Sequence, residues 1–196
     1  MSTPASEPAS EPGDRILEAA REVFAADGLD AHLGTIAARA GVGVGSIYRW
    51  FGNKNDLIQE VAAVHFETIL SRMAAAATAD DPWEAFSLEF RNSVAEYASD
   101  RGFRELVLGS VTGSFGWARG SRPEKLELAM RQWSAQMESV IERLIGRARA
   151  AGELRADATG SIILRLSLAL QSVAGFGDAE EQERTISIVL DGLRPR

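Results

Sequence analysis

Cysteine is absent from the 196-residue chain, and it has only two histidines. Without cysteine the chain can form neither a disulfide nor a thiolate metal site. His32 and His65 lie far apart in the sequence, so a histidine-based metal site is not expected either. We therefore predict no metal and no cofactor. The lack of cysteine also suits a reducing cytoplasm, which is the expected location.

Long apolar runs and catalytic motifs are also missing. No run reaches the ~18 apolar residues that a membrane span needs, so no membrane contact is predicted. The chain has no GxSxG motif, no phosphate-loop glycine–lysine motif and no paired histidines. The acidic pairs at 80–81 and 180–181 fit helix starts better than an acid–base pair. These absences argue against an enzyme.

The net charge is negative, since 21 basic residues face 28 acidic ones, which gives −7. That balance opposes a protein that coats nucleic acid with its whole surface, but it allows one local patch. Residues 1–12 are rich in proline, serine and acids, and repeat the tetrapeptide PASE. Such a composition buries too little apolar surface to offset ordering, so a disordered tail is expected there.

Apolar residues recur at helical spacing through most of the chain, and strand signals are few. One example is the series Leu126, Met130, Trp133, Met137, which steps by three and four. Another helix is expected to start at Asp81-Pro82, because proline is tolerated in a first helical turn. The sequence therefore predicts an all-α fold of about nine helices.

One window differs from its surroundings: AGVGVGSIYRWFGNK, residues 40–54, lies in a stretch without any acid between Leu33 and Asn55. A helix, a short glycine turn and a second helix are typical of a helix-turn-helix, whose second helix enters the DNA major groove. The apolar positions 42, 47 and 51 would pack inward. Ser46, Arg49 and Trp50 would share the outer face, because they are three and four residues apart.

Residues 14–68 resemble the DNA-binding domain of the TetR family of bacterial repressors. The matching segments are RILEAAREVFAADGLD, IAARAGVGVGSIYRWF and NKNDLIQEV. The resemblance implies DNA contacts from residues at the starts of the second, third and fourth helices and along the third: His32, Thr35, Gly43, Val44, Gly45, Ser46, Tyr48, Arg49, Trp50 and Lys54.

Three alternatives stay open at this DNA-facing surface. Either His32 or Thr35 could cap the second helix. Tyr48 could be a half-buried core residue, a phosphate donor, or both, because its ring can pack while its hydroxyl reaches the surface. Trp50 could pack against the next helix or face DNA.

The resemblance divides the chain into a head, residues 13–55, with family similarity to about residue 68, and a body, residues 56–196. The body is expected to bind a largely apolar small molecule and to form a homodimer. Its aromatic and large apolar residues are core residues first, and some should also line a pocket. The candidates for the pocket are Phe86, Phe90, Leu106, Trp117, Trp133, Met137 and Phe176.

The last two predicted helices, about 158–173 and 180–193, carry more apolar surface than one packed face requires. Large exposed apolar patches usually mark interfaces, so a dimer through these helices is expected. The predicted contacts are Leu166, Val173, Ile186, Val189, Leu190 and Leu193.

Together these features predict a repressor that binds a palindromic operator in double-stranded DNA and is released by a ligand. The alternative is a helical small-molecule-binding or enzymatic protein without a DNA role. The sequence leaves the ligand, the operator, the regulated genes and the sign of regulation open.

Overall fold

The computed structural model describes residues 11–112, 124–173 and 178–195. These residues form nine helices and no strand, which confirms the all-α prediction. Trp117 and Phe176 lie outside the described residues, as do residues 1–10, and nothing is described of the Val173 side chain. The helices are α1 Pro12–Asp27, α2 Leu33–Ala40, α3 Val44–Phe51, α4 Lys54–Ala76, α5 Pro82–Ser99, α6 Arg101–Thr112, α7 Glu124–Ala150, α8 Gly160–Val173 and α9 Ala179–Leu193.

Local sequence signals set the ends of several helices. The Asp81 carboxylate accepts a hydrogen bond from the Glu84 N–H at 2.8 Å, and proline occupies the first position of α5. Asp178 accepts from the backbone N–H groups of residues 180 and 181 at the start of α9. Gly41 ends α2 in the left-handed region, at φ 67°, which favours glycine. The Asp81 and Asp178 caps fix the starts of α5 and α9, and Gly41 ends the short helix α2.

The three helices α1 to α3 pack around Ile16, Ile36 and Ile47, none of which has any exposed surface. Their core does not stop at the predicted boundary at residue 55. It continues through Leu57 and Phe66 of α4 and takes in residues of α6 and α7. The long helix α4 therefore runs from a core shared with α1–α3 into the rest of the molecule.

A second core lies among α5, α7, α8 and α9. Phe86 and Phe90 of α5 are buried there beside Ile145 and Leu144 of α7. The aliphatic side of α9 faces the same core. Ile186, Leu190 and Leu193 are only 3–5% exposed, although the sequence placed them at a dimer interface. The apolar stripe on α9 thus packs within the protomer. A dimer contact through α9 would have to use the exposed residues beside that stripe.

A membrane-spanning role finds no support in the described residues, none of whose helices is both long and apolar enough to cross a bilayer.

Candidate nucleic-acid interface and internal cavity

Helix α3 has one buried side and one exposed side. Ile47 is fully buried, and Val42 and Phe51 are half-buried against the same core. Tyr48 is 52% exposed, and Arg49 is exposed beside it. The short helix therefore uses its apolar residues as anchors and presents polar ones outward, as the sequence pattern predicts.

The start of α3 is open to solvent. Gly43 occupies the N-cap position with φ −80°, and Ser46 donates its backbone N–H to the Gly43 carbonyl at 2.9 Å. A methyl group built on Gly43 or Gly45 would meet no atom within 4 Å. Neither glycine is needed to relieve crowding inside the protomer. A helix N-terminus with no side chains in front of it lets the backbone of an anionic partner come close.

The cations of this surface differ in how they are compensated. Arg39 forms an ion pair with Glu22 of α1, which the local sequence window does not reveal. Arg49 instead donates to the Ser46 hydroxyl at 3.1 Å, and no carboxylate of the described residues pairs with it. Arg49 is therefore a free positive charge on the exposed side of α3, whereas Arg39 is largely neutralised.

Lys54 is the first residue of α4 and is half-buried. Burial lowers the pKa of its ammonium group, and the charges of Asp30 and Glu105 oppose that shift. Asn53 caps the helix beside it, accepting hydrogen bonds from the N–H groups of residues 55 and 56. Sequence reasoning missed this cap, although asparagine just before a helix start is a recognised signal.

The N-terminus of α2 resolves one open alternative. His32 occupies the N-cap position, but its side chain makes no capping hydrogen bond. Its carbonyl accepts from the backbone N–H of Thr35 at 3.0 Å. Both side chains are exposed. Neither residue caps the helix through its side chain, so this helix end keeps backbone donors available for an external acceptor.

Trp50 packs against the start of α1. A methyl group built on Gly13 of α1 would lie 3.0 Å from Cε3 of Trp50, so the indole rests on the start of α1. The ring is still 47% exposed. Trp50 thus fixes α3 to α1 with one part of its surface and leaves the other part accessible.

A cavity of about 190 Å³ lies in the body, between α4, α5, α6, α7 and α8. Four of the residues predicted to line a pocket do so: Phe86, Phe90, Trp133 and Met137. Leu106 does not, since it is buried in the core shared with α1–α3. The helical spacing of Leu106 predicts that it is buried, but it does not show whether the side chain packs in the core shared with α1–α3 or lines the cavity.

Charged groups in the cavity wall were not foreseen from the sequence. Arg72 of α4 donates from Nε to Glu89 at 2.8 Å and from both terminal nitrogens to Glu96 at 2.7 and 2.9 Å. These hydrogen bonds, with Glu96 first, raise the pKa of Arg72, and desolvation opposes them. A signal was available: Glu89 lies between Phe86 and Phe90, on the apolar side of α5.

A contact between α1 and α6 connects the helix-turn-helix to the cavity region. The backbone N–H of Leu29 donates to the Glu105 carboxylate at 2.8 Å. A methyl group built on Gly102 would lie 2.9 Å from the Phe24 carbonyl oxygen. Phe103, the next residue, lines the cavity. The same turn of α6 therefore touches both α1 and the cavity.

The outer side of α8 and α9 carries an open groove whose lining includes Ile162, Leu166 and Val189. Ile162 is 42% exposed and Ile188, nearby in sequence on α9, is 66% exposed. Arg155 and Asp157 form an ion pair at one end of the groove. Within the described residues, this side of α8 and α9 is therefore largely apolar and open to solvent.

Known protein families match both parts of the chain. Residues 16–61 match the bacterial regulatory proteins of the tetR family, and residues 81–195 match the C-terminal domain of SbtR-like transcriptional regulators. No curated protein sequence matches the chain.

Solved structures give the same result over almost the whole length. A TetR transcription regulatory protein from Mycobacterium vanbaalenii is 30% identical, covering 93% of this chain and 94% of that one, with a TM-score of 0.66. A TetR transcriptional regulator from Streptomyces coelicolor is 28% identical, covering 93% and 98%, with a TM-score of 0.68. A regulator from Agrobacterium tumefaciens, at 18% identity and 94% and 98% coverage, shares the fold with a TM-score of 0.75.

Proposed function

The chain belongs to the TetR family of bacterial transcription regulators, and on that basis we propose a cytoplasmic repressor that binds a palindromic operator as a homodimer. A small, largely apolar effector would release it. Family membership confirms the resemblance seen in the sequence and makes the chain a DNA-binding regulator rather than an enzyme. It also removes the alternative of a helical protein without a DNA role.

The observation that carries the DNA contact is the uncompensated charge on the open side of α3. Arg49 projects from the exposed face, with Tyr48 next to it and an unobstructed glycine start before it. We assign base and backbone contacts to Arg49 and a phosphate contact to the Tyr48 hydroxyl. Close backbone approach would occur at the start of the helix, through Gly43, Val44, Gly45 and Ser46.

Flanking helix starts would hold the phosphates on either side. The N-terminus of α2, with exposed His32 and Thr35, has donors that no side-chain cap occupies. Lys54 begins α4 and brings a cation to the other side of α3. Phosphate contacts of this kind fix the register of a protein on the duplex and leave sequence reading to α3. Trp50 would contribute through the part of its ring that Gly13 leaves exposed.

The cavity in the body is the proposed effector site. Its mostly apolar lining, with a few polar groups, suits a small organic molecule. The coupling would be a population shift, in which the effector prefers a body conformation that places the two heads badly for DNA. The α1–α6 contact at Leu29 and Gly102 offers a direct connection between cavity and head. A coupling free energy of about 1–3 kcal/mol would lower operator affinity roughly 5- to 150-fold.

Dimerisation would use the exposed side of α8 and α9 rather than the buried one. Ile162 and Ile188 supply exposed apolar surface, and Leu166 and Val189, which are partly buried against the second core, extend the groove beside Ile162. Two copies packed through these helices would form a four-helix bundle. Their recognition helices would then meet half-sites about 34 Å apart, or a multiple of that distance.

A binding experiment tests the DNA role. Genomic fragments selected by the wild-type protein should share a palindrome, and footprinting should show two protected half-sites. Arg49→Ala should weaken operator binding by about 5- to 150-fold, as expected for loss of a base-contacting arginine. Equal wild-type affinity for selected and random DNA would contradict the proposal.

Arg143 provides a matched control. It is an exposed arginine of α7 that donates to the Ser139 hydroxyl at 3.0 Å, much as Arg49 donates to Ser46. Because Arg143 lies outside the proposed DNA surface, Arg143→Ala should bind the operator as the wild type does. A similar loss in both variants would point to a non-specific effect of removing positive charge.

A further inference from the structure

We infer that the effector is an apolar molecule that carries a positive charge, such as an amine or a quaternary ammonium compound. The inference rests on the proposed effector site and adds the chemical class of its ligand. Three features of the cavity support it: its charge balance, the engagement of its arginine, and its aromatic lining.

The charge balance of the wall is negative. Among the described lining residues, Arg72 is the cation, and the carboxylates are Glu89 and Glu96 of α5 and Glu138 of α7. Helices α6 and α8 contribute only apolar and serine side chains from that part of the chain. Arg72 forms ion pairs with both Glu89 and Glu96, so these three residues together carry one excess negative charge. Glu138, which is exposed, adds another at the rim.

The arginine offers little to an anionic ligand. Its Nε and both terminal nitrogens already donate to the two carboxylates. Three of the five guanidinium N–H groups are therefore engaged, and a carboxylate that approached the remaining two would meet the excess negative charge of Glu89 and Glu96. Glu89 is only 5% exposed, so solvent screens that charge weakly. A ligand cation would instead supply the compensation that the site lacks.

The aromatic lining favours a cation for an independent reason. Five aromatic side chains line the cavity, and ring faces carry partial negative charge that attracts amines and quaternary ammonium groups. They are Phe66, Phe86, Phe90, Phe103 and Trp133. Phe66 and Trp133 stack at 4.8 Å between centroids. Aromatic surface beside a carboxylate gives such a molecule both an apolar environment and a counter-charge.

Stability alone does not require this charged group, in which Glu89 is buried and Arg72 and Glu96 are partly exposed. Replacing a buried ion pair with well-packed apolar residues is often neutral or stabilising. In an otherwise apolar cavity, a few placed polar groups generally orient a ligand. The group of Arg72, Glu89 and Glu96 therefore fits a recognition role.

Three probes that share one scaffold test the charge. 4-Phenylbutylamine, 4-phenylbutanol and 4-phenylbutyrate should be titrated into the full-length protein by calorimetry at pH 7.5, where the amine is protonated and the acid is ionised. The amine should bind at least about tenfold more tightly than the alcohol, and the acid most weakly. The amine should also lower operator affinity.

Variants locate the effect. Glu96→Gln leaves one arginine facing one buried carboxylate, so the preference for amine over alcohol should fall at least about fivefold, while alcohol affinity changes less than about twofold. Glu89→Gln is the second variant, and thermal melts check that both fold. Glu67→Gln, on an exposed site of α4 outside the cavity lining, should keep the wild-type preference.

The outcomes separate the ligand class from the regulator. Alcohol or acid binding as tightly as the amine would overturn the inference while leaving an effector site in place. Failure of all three probes to bind would overturn it too, even with normal operator binding. Loss of the amine preference in Glu67→Gln as well as Glu96→Gln would also contradict it. Failure of the DNA role would show separately, in the footprinting experiment.

Discussion

The proposed DNA surface and the cavity wall carry opposite unbalanced charges, the first in an exposed and the second in a largely buried environment. On α3, Arg49 is exposed and pairs with no carboxylate of the part of the chain that the structure describes. In the body, Glu89 and Glu96 share one arginine, and Glu89 is buried. Both regions are locally unusual in a chain whose overall charge of −7 describes neither of them.

The difference teaches that environment decides what an unpaired charge can do. Exposed cations attract anions across the surrounding solvent, and dissolved salt screens that attraction over a Debye length of about 8–10 Å. A buried carboxylate acts over a few ångströms and is screened much less. The first arrangement suits a long anionic polymer, and the second suits one small ligand. Four experiments test how far the two regions are separate.

The largest effect is expected from separating the protomers of the proposed dimer, because each head alone would read only half of a site. Ile162→Glu with Ile188→Glu places charges on the exposed side of α8 and α9 without touching the protomer core. We expect monomers in sedimentation and a loss of specific operator affinity of at least about 100-fold. Ile186 and Leu190 are poor targets, because they are buried and their replacement would unfold the body.

Val64→Glu with Leu128→Glu is the matched control, since both residues are exposed apolar side chains away from α8 and α9. It adds the same two charges and should leave the dimer intact. If the Ile162→Glu, Ile188→Glu double variant remained dimeric, the dimer interface would have to lie elsewhere on the protein.

The second experiment targets the contact between α1 of the head and α6 of the body. Gly102→Ala would force a methyl group to within 2.9 Å of the Phe24 carbonyl oxygen, so the backbone must shift. We expect the free energy of unfolding to fall by about 1–3 kcal/mol, as for overpacking. Gly146→Ala is the control in α7, where a methyl group meets nothing within 4 Å. It should raise the free energy of unfolding by about 0.5–1 kcal/mol. Urea unfolding measures the free energy of unfolding of both variants. If both substitutions changed it in the same direction, the packing argument would be contradicted.

Salt dependence distinguishes the two charged regions directly. Lys54→Ala should weaken binding to all DNA sequences alike and reduce the slope of log affinity against log salt by about 1, because one phosphate contact is lost. Glu96→Gln should leave that slope unchanged when no effector is present. Fluorescence anisotropy titrations at several salt concentrations provide the slopes. A changed slope in Glu96→Gln would mean that the cavity charge reaches the DNA surface.

The smallest expected effect is a pH dependence of stability that comes from His65 of α4, whose ring lies beside Phe103 of α6. Burial lowers the pKa of His65, and the charges of Asp100 and Glu96 oppose the shift. The unfolded chain binds this proton more readily. The free energy of unfolding should therefore fall as pH decreases from about 6.5 to the folded pKa, by at most about 1.4 kcal/mol per pH unit.

Urea unfolding at pH 7.5, 6.5 and 5.5 would measure this contribution as the difference between the wild type and His65→Gln. His32→Gln, at an exposed position, serves as the control and should follow the wild type. Identical pH profiles for His65→Gln and the wild type would exclude a contribution from this histidine.

The sequence predicts the head well because its signals are local. The glycine turn, the inward positions of α3 and the helix starts all lie within a few residues of what they determine. The resemblance to the TetR family rests on that segment for the same reason, and family and structural comparisons confirm it.

The body is predicted less completely because its decisive contacts are distant in sequence. Helical spacing shows that one side of α9 is apolar, but not that the protomer itself covers Ile186 and Leu190. It shows that Leu106 points inward, but not into which core. The hydrogen bonds of Arg72 to Glu89 and Glu96 join residues 17 and 24 positions apart. The ion pair between Arg39 and Glu22 also joins residues 17 positions apart, so a short sequence window does not reveal it.

The contact between Trp50 and Gly13 has a practical consequence for handling the protein. Because the indole of α3 rests on the first turn of α1, anything fused ahead of Pro12 begins beside the proposed DNA surface. The other end of the described chain lies in the body, where Arg194 covers the Trp83 ring at 3.8 Å. A purification tag or fluorescent reporter joined after residue 196 should leave DNA binding measurable, whereas one joined directly ahead of Pro12 should compete with the duplex for space.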